Sequence, residues 1–250
     1  MMIKNILTLI ALLSLVTSCR YDVEPIKPSA WRIRTVKTEF DLITYNYTNG
    51  QLSQSTAKRL KKDSTGHLPD RICTNYTINN GFLKEQMEGN CDSKNAWELN
   101  YTLGANGKIA EQMWAYSHRV NTYDSEGYLI EEKHYSLDPN NRKLYRTHKY
   151  DIVDGNTVKE WSIDTDGKAY ILTEYEFYLD KLNTIGNENM GMTWQEHSNR
   201  NLIKKSTHYS GNDKYDINYD YTFDSENRVT RVRYNSNGGL YWLEGEYTYY

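Results

Sequence analysis

His118 and His134 stand nearly symmetric about a turn at residues 124–127, and His148 follows one strand later. Imidazoles converging from neighbouring strands are the donors from which transition-metal sites are built. No His-Glu-x-x-His spacing and no cysteine pair accompanies them. Each therefore reads as an exposed or singly bonded strand histidine, and neither a metal site nor a cofactor is expected; His67, His197 and His208 fall in or beside loops without a partner pattern. Glu131-Glu132 and the many turn aspartates could supply the paired carboxyls of a glycosidase. The run Asp164-Thr165-Asp166-Gly167 matches only part of a calcium loop. Turn chemistry and a solvated strand face account for these acids, and no Ser-centred elbow, phosphate loop or dinucleotide fingerprint is present. No catalytic residue is nominated, and the chain reads as non-enzymatic.

Cys73 and Cys91 flank Asn80-Gly81. A two-residue loop there would pair position 73 with 88 and leave Cys91 beyond the strand end, a gap that a bulge or Gly89 could close. In an oxidising compartment such a pair favours a structural disulfide.

The elements that must carry these residues are hairpins. In residues 219–234, YDYTFDSENRVTRVRY, apolar residues alternate up to Phe223, turn formers follow, and alternation resumes at Val229. The unit recurs at 123–129 and 163–169, more loosely at 103–109 and 234–240, and in shorter form at 47–52 and 78–83. In the longer copies Asp or Asn opens the turn and Gly, or Asn227, closes it, as suits a type I turn followed by a residue at positive φ. The shorter copies carry Asn49-Gly50 and Asn80-Gly81, the pair preferred in two-residue type I′ hairpins. Other turn clusters, at 61–69, 88–95, 137–142 and 210–213, must return the chain on the opposite edge.

Lys4, the apolar run Ile6 to Val16 and the close Val16-Thr17-Ser18-Cys19 have the layout of a signal peptide. The last four residues resemble a bacterial lipobox, which implies removal of residues 1–18 and lipidation of Cys19 as a membrane anchor. Residues 19–30, with Pro25 and Pro28, read as a semi-rigid tether. Residues 31–250 read as a single domain with no internal boundary. Its 23 tyrosines and 13% aromatics favour strands. Thirty basic residues mixed among 33 acidic ones give no footprint for nucleic acid.

Tyr215, Ile217, Tyr219, Tyr221 and Phe223 share one strand face, as do Trp97, Leu99, Tyr101 and Leu103, which predicts half-buried antiparallel strands. The fold class is therefore all-β: one up-and-down meander of roughly fifteen strands, curled into an open or closed barrel-like sheet. Residues 182–202 break the rhythm, and long connections without alternation are usually functional or disordered. Met190, Met192 and Trp194 within it are apolar enough to fold over one mouth as a plug, and they are also the candidate ligand contacts if the segment is a lid. Trp31, Trp97, Trp114, Trp161 and Trp242 complete the set of indoles that either fill the core or stack on a ligand.

Aromatic-Asp-x-x-Gly-x-Leu hairpins in series, the lipobox, the Asn-rich segment and the terminal YTYY resemble an uncharacterised group of lipoprotein domains from gut bacteria. That resemblance implies a porin-like antiparallel fold. The hairpins resemble, more distantly, the YD repeats of large bacterial toxins. The expected protein is an outer-membrane lipoprotein, displayed on the cell surface or facing the periplasm. It would be anchored to the membrane through Cys19 and bind a glycan or peptide through aromatic side chains. The alternatives are a structural subunit docking another envelope protein through an unpaired strand edge or apolar patch, and an envelope hydrolase. Frequent Lys, Glu and Asp at outward strand positions speak against a barrel embedded in lipid.

Overall fold

Period-two alternation punctuated by Asn, Asp and Gly turns builds sixteen strands, and nothing else regular, among the described residues. The first eight are β1 (Ile33–Lys37), β2 (Asp41–Thr48), β3 (Gln51–Arg59), β4 (Arg71–Asn79), β5 (Phe82–Gly89), β6 (Ala96–Leu103), β7 (Ile109–Met113) and β8 (Ser117–Tyr123). The second eight are β9 (Leu129–Asp138), β10 (Asn141–Val153), β11 (Asn156–Ile163), β12 (Ala169–Leu182), β13 (Asn201–Ser210), β14 (Asp213–Phe223), β15 (Val229–Ser236) and β16 (Trp242–Tyr249). This computed structural model describes residues 31–61, 69–92, 96–114, 117–138, 141–211, 213–236 and 242–250. Residues 1–18, Cys19, the tether at 19–30, His67 and the turn at 237–241 lie outside the described residues.

Every strand pairs antiparallel with its neighbours in sequence, and β1 pairs with β16, so the meander closes into a barrel. Closure gives every edge a partner, which an open sheet of this size cannot do. Among the described residues no strand edge is thus left unpaired for a docking partner.

The turns follow their local chemistry. Asn49 and Gly50, and Asn80 and Gly81, all sit at positive φ, as a type I′ turn requires. Asp124 and Asp224 build congruent longer turns. Each Oδ1 accepts two backbone N–H bonds, from Glu126 and Tyr128 in one and from Glu226 and Arg228 in the other. Asp154-Gly155 forms a further tight turn, with both residues at positive φ, between β10 and β11. That added reversal shifts the alternation of mouths, so the Asp164–Gly167 turn lies at the opposite mouth from the turns at 124–128 and 224–228. The hairpin repeats therefore do not all line one edge.

Cys73 and Cys91 are joined by a disulfide, with Cα atoms 4.9 Å apart. Cys73 lies opposite Glu88 in the ladder. Asn90 and Cys91, both at positive φ, bend the chain back after β5 to bring the two sulfurs together.

Side chains divide by parity. Tyr45, Leu83 and Tyr101 point into the barrel and form, with Ile33, Ile109 and Trp194, one buried cluster; Leu202, Val229 and Val232 form a second. Burying each large aliphatic side chain contributes about 1.5–3 kcal/mol. The alternate residues face out and are charged. Lys37 and Arg231 flank Glu246 at 3.0 and 2.7 Å, and Arg233 meets Asp220 at 2.5 Å. Lys205 meets Asp216 at 3.0 Å, Lys159 meets Glu174 at 2.8 Å and Lys84 meets Glu98 at 2.6 Å. Exposed pairs like these add little stability individually. Their position is what matters, because they belt the outer wall where a lipid-embedded barrel carries an apolar band.

Candidate functional site

The segment between β12 and β13 folds over one mouth of the barrel and is stitched to the turns that form its rim. Ile33 N donates to Asn189 O, Leu52 N to Gly191 O, Ile109 N to Trp194 O, and His197 N to Gly127 O, at 2.8–3.3 Å. Arg200 N reaches Gly155 O at 2.8 Å, and Val229 N reaches the Thr184 hydroxyl at 2.9 Å. The segment is thus held from most sides of the ring, and these bonds pair backbone groups of the plug that burial would otherwise leave unsatisfied. It is a plug.

Two close approaches fix its seat. Gly191 lies at φ +72°, and a Cβ there would stand 2.7 Å from Tyr47 Cε1. At Gly127 a Cβ would meet His197 Cδ2 at 2.7 Å. Within the plug His197 Nδ1 and Glu188 Oε1 are 2.7 Å apart, and the same oxygen accepts from Ser198 N. Burial alone would raise the Glu188 carboxyl, but these hydrogen bonds outweigh it and hold the group below the ordinary glutamate range.

Trp194 is 2% exposed, its ring 5.3 Å from that of Tyr76, and Met190 and Met192 pack against the same cluster. All three candidate ligand contacts thus pack within the plug, and Met190 also lines the larger of the cavities beneath it. Trp97 is 74% exposed, on the lumen face at the far end of β6. Trp161 points outward, where its indole N–H donates to Asp151, and the Arg119 guanidinium lies over Trp114.

Beneath the plug lie two adjoining cavities that share Thr157, Glu196, His197, Asn199 and Ile203 in their walls. The larger, about 480 Å³, runs along β13 to β16 past Tyr219, Tyr221 and Tyr247. The smaller, about 270 Å³, is walled by Tyr128, Tyr150, Tyr175 and Glu160. The Tyr175 hydroxyl donates to Glu160 at 3.2 Å. Burial, followed by the nearby glutamates, pushes the phenols of Tyr150 and Tyr175 up, so both remain hydrogen-bond donors at neutral pH. Rings for stacking and convergent polar groups are the usual composition of a small-molecule site.

Further along the lumen wall, β8 to β11 present a polar patch. Arg119 donates to Glu132 Oε2 at 3.0 Å, Glu132 Oε1 lies 2.5 Å from His134 Nε2, and the rings of His134 and His148 are 5.1 Å apart. Burial, and then the charge of His134, lowers the His148 imidazole, which favours its neutral form. The three histidines singled out by spacing are thus separated. A bulge between Thr122 and Tyr123 changes the β8–β9 register by one residue, so His118 pairs with Tyr135 and Arg119 with His134. One residue of slip exchanges faces. His134 and His148 face the lumen, whereas His118 faces out, 3.0 Å from Glu111 and stacked on Tyr135. Glu132 takes the place in the group that symmetry about the turn assigns to His118, and only the bulge reveals it.

No protein-family model and no curated protein matches the chain. Solved structures do. A crystal structure described as a porin-like protein from Bacteroides uniformis is similar at 14% identity with a TM-score of 0.59, covering 87% of this chain and 98% of that one. A porin-like protein from Bacteroides vulgatus is similar at 12% identity and a TM-score of 0.53, covering 88% of this chain and 99% of that one. At these identities the likeness establishes the fold: an all-antiparallel closed barrel of the kind described there as porin-like.

Proposed function

We propose that this is an envelope lipoprotein whose plugged barrel stands in water and holds a short glycan in the cavities beneath the plug, without chemically altering it. One observation carries the reading. The plug covers a mouth through which a channel would conduct, yet leaves a partly open cavity of about 480 Å³ walled by tyrosine rings beside Glu196, His197 and Asn199. Tyrosine offers a flat apolar face to a sugar ring and a hydroxyl to its edge, and the carboxylate and amide accept and donate to sugar hydroxyls. The envelope location draws support from the lipobox-like sequence before Cys19 and from the porin-like description of the similar Bacteroides proteins. The belt of outward ion pairs supports attachment by lipid on Cys19 over insertion of the barrel wall.

The test is an array of glycans and short peptides, probed with the purified full-length chain in the presence of a metal chelator. Tyr150→Ala and Glu196→Gln serve as cavity-wall variants, and Trp97→Ala as a control outside the cavity. Saturable glycan binding lost in both cavity variants and kept in Trp97→Ala is the expected result. Binding to peptides alone, binding indifferent to the cavity variants, or no binding by the folded protein would each overturn the reading.

A further inference from the structure

We propose that Glu132, His134 and His148 form a binding site for a divalent first-row transition metal ion on the lumen wall. One donor atom from each of the three lies within 4.8 Å of the others. A tetrahedral ion with bonds of about 2.1 Å needs donors about 3.4 Å apart, so the Glu132–His134 contact must open and wider gaps must close, adjustments within reach of imidazole and carboxylate rotation. Two neutral imidazoles and one carboxylate suit zinc and its first-row neighbours better than calcium or magnesium, which take oxygen ligands.

The ladder explains why these donors meet. Glu132 lies directly opposite His148, and His134 is the next inward residue along β9. Arg119 takes the far carboxylate oxygen, Oε2, and so turns Oε1 toward the imidazoles. Outer partners of this kind orient metal ligands.

A second observation points to the same place. Six side-chain polar atoms among the described residues are buried without a hydrogen-bond partner, and four of them border this patch: His148 Nε2, Ser162 Oγ, Asn121 Oδ1 and Arg119 Nε. Asn121 lies opposite Glu132, and Ser162 lies opposite His148. Buried polar atoms are normally satisfied. A metal ion with its remaining coordination open to the lumen would occupy the ring nitrogen and supply bound water to the hydroxyl and the amide. Charge permits it: Arg119 and Arg146 face this region, and so do Glu132 and Glu160. A ring nitrogen that takes the ion must give up any proton it carries, which is released to solvent.

The experiment is a titration of the untagged, full-length, glycan-free chain with cobalt(II) at neutral pH, read by visible absorption. One cobalt ion per chain is expected. His134→Ala and His148→Ala should each weaken binding by about 10-fold or more, the scale on which even outer partners act, while His118→Ala leaves it unchanged. Should a lumen variant misfold, the unmodified chain decides: among the six histidines, zinc(II) should shift the ring NMR signals of His134 and His148 and leave those of His118 in place. No cobalt binding, binding unaltered by both lumen variants, or a response from His118 would overturn the proposal. Because no glycan is present, failure here leaves the cavity reading standing.

Discussion

Gly191 and Gly167 share a backbone conformation and differ in what surrounds them. Both lie at positive φ, +72° and +83°, but a Cβ at Gly167 meets nothing within 4 Å, whereas one at Gly191 would collide with the Tyr47 ring and come within 3.0 Å of Leu52 N. Gly167→Ala should therefore cost only the left-handed penalty, about 1–2 kcal/mol. Gly191→Ala adds a collision that the plug can relieve only by lifting. The expected outcome is a larger fall in Tm than for Gly167→Ala, with faster amide exchange across 183–200 and an unchanged β-sheet circular dichroism signal. Equal effects of the two substitutions would show that the plug does not depend on this approach. At this scale the sequence is legible where the chemistry is local. Asn-Gly and Asp-x-x-Gly state their turns because each residue type meets a backbone requirement on the spot. Asp154-Gly155 carries the same signature, but alternation in its flanking strands is weaker; the reversals after β1 and β7 carry no Asn-Gly or Asp-x-x-Gly signature at all. Facing is a different matter. Whether His118 or Glu132 joins His134 depends on a single bulge residue, and the sequence between Tyr123 and Leu129 does not say where the extra residue goes.

The plug is the element whose behaviour should depend on pH. Hydrogen bonds hold the folded Glu188 carboxyl below its unfolded value, which is about 4.3. A depressed carboxyl contributes stability that is fully present above the unfolded pKa and is lost as pH falls through the folded one. Acidification below about pH 4 should thus loosen the plug, because protonation removes the charge that pairs with His197 and weakens the acceptor for Ser198 N. Glu188→Gln should loosen the segment at neutral pH and flatten that acid response. Amide exchange of 183–200, followed from neutral to acid pH in both proteins, checks this; an acid response as steep in the variant as in the parent would assign it to another group. The existence of this element shows in the sequence as a loss of alternation and an excess of Asn. Its seat does not. Five of its ties run from backbone to backbone, between the plug and the rim, and such bonds leave no mark in residue type. Trp194, apolar within a polar segment, is the visible clue, and the structure shows it buried.

At the scale of the molecule, closure and the outer charge belt together decide what the barrel can touch. Sixteen strands in simple succession were legible to within a strand, because alternation and turns repeat; closure depends on β1 reaching β16, a pairing between residues more than 200 positions apart that no local pattern encodes. Once closed, each strand has an inside and an outside, and the outside carries Lys–Glu and Arg–Asp pairs on strands around the ring. Moving such a wall into hydrocarbon would cost roughly 2–4 kcal/mol for each Lys or Arg near the midplane, far more than the scattered exposed apolar residues such as Phe82 and Leu179 return. On the proposed reading as a lipoprotein, membrane attachment would then fall to Cys19. Detergent phase separation of cells producing the full chain checks this. The parent should enter the detergent phase, and Cys19→Ala should move to the aqueous phase as a folded barrel, with an unchanged melting profile. If Cys19→Ala stayed with detergent, the wall itself would be holding lipid, and the ion-pair belt would have to lie outside the contact zone.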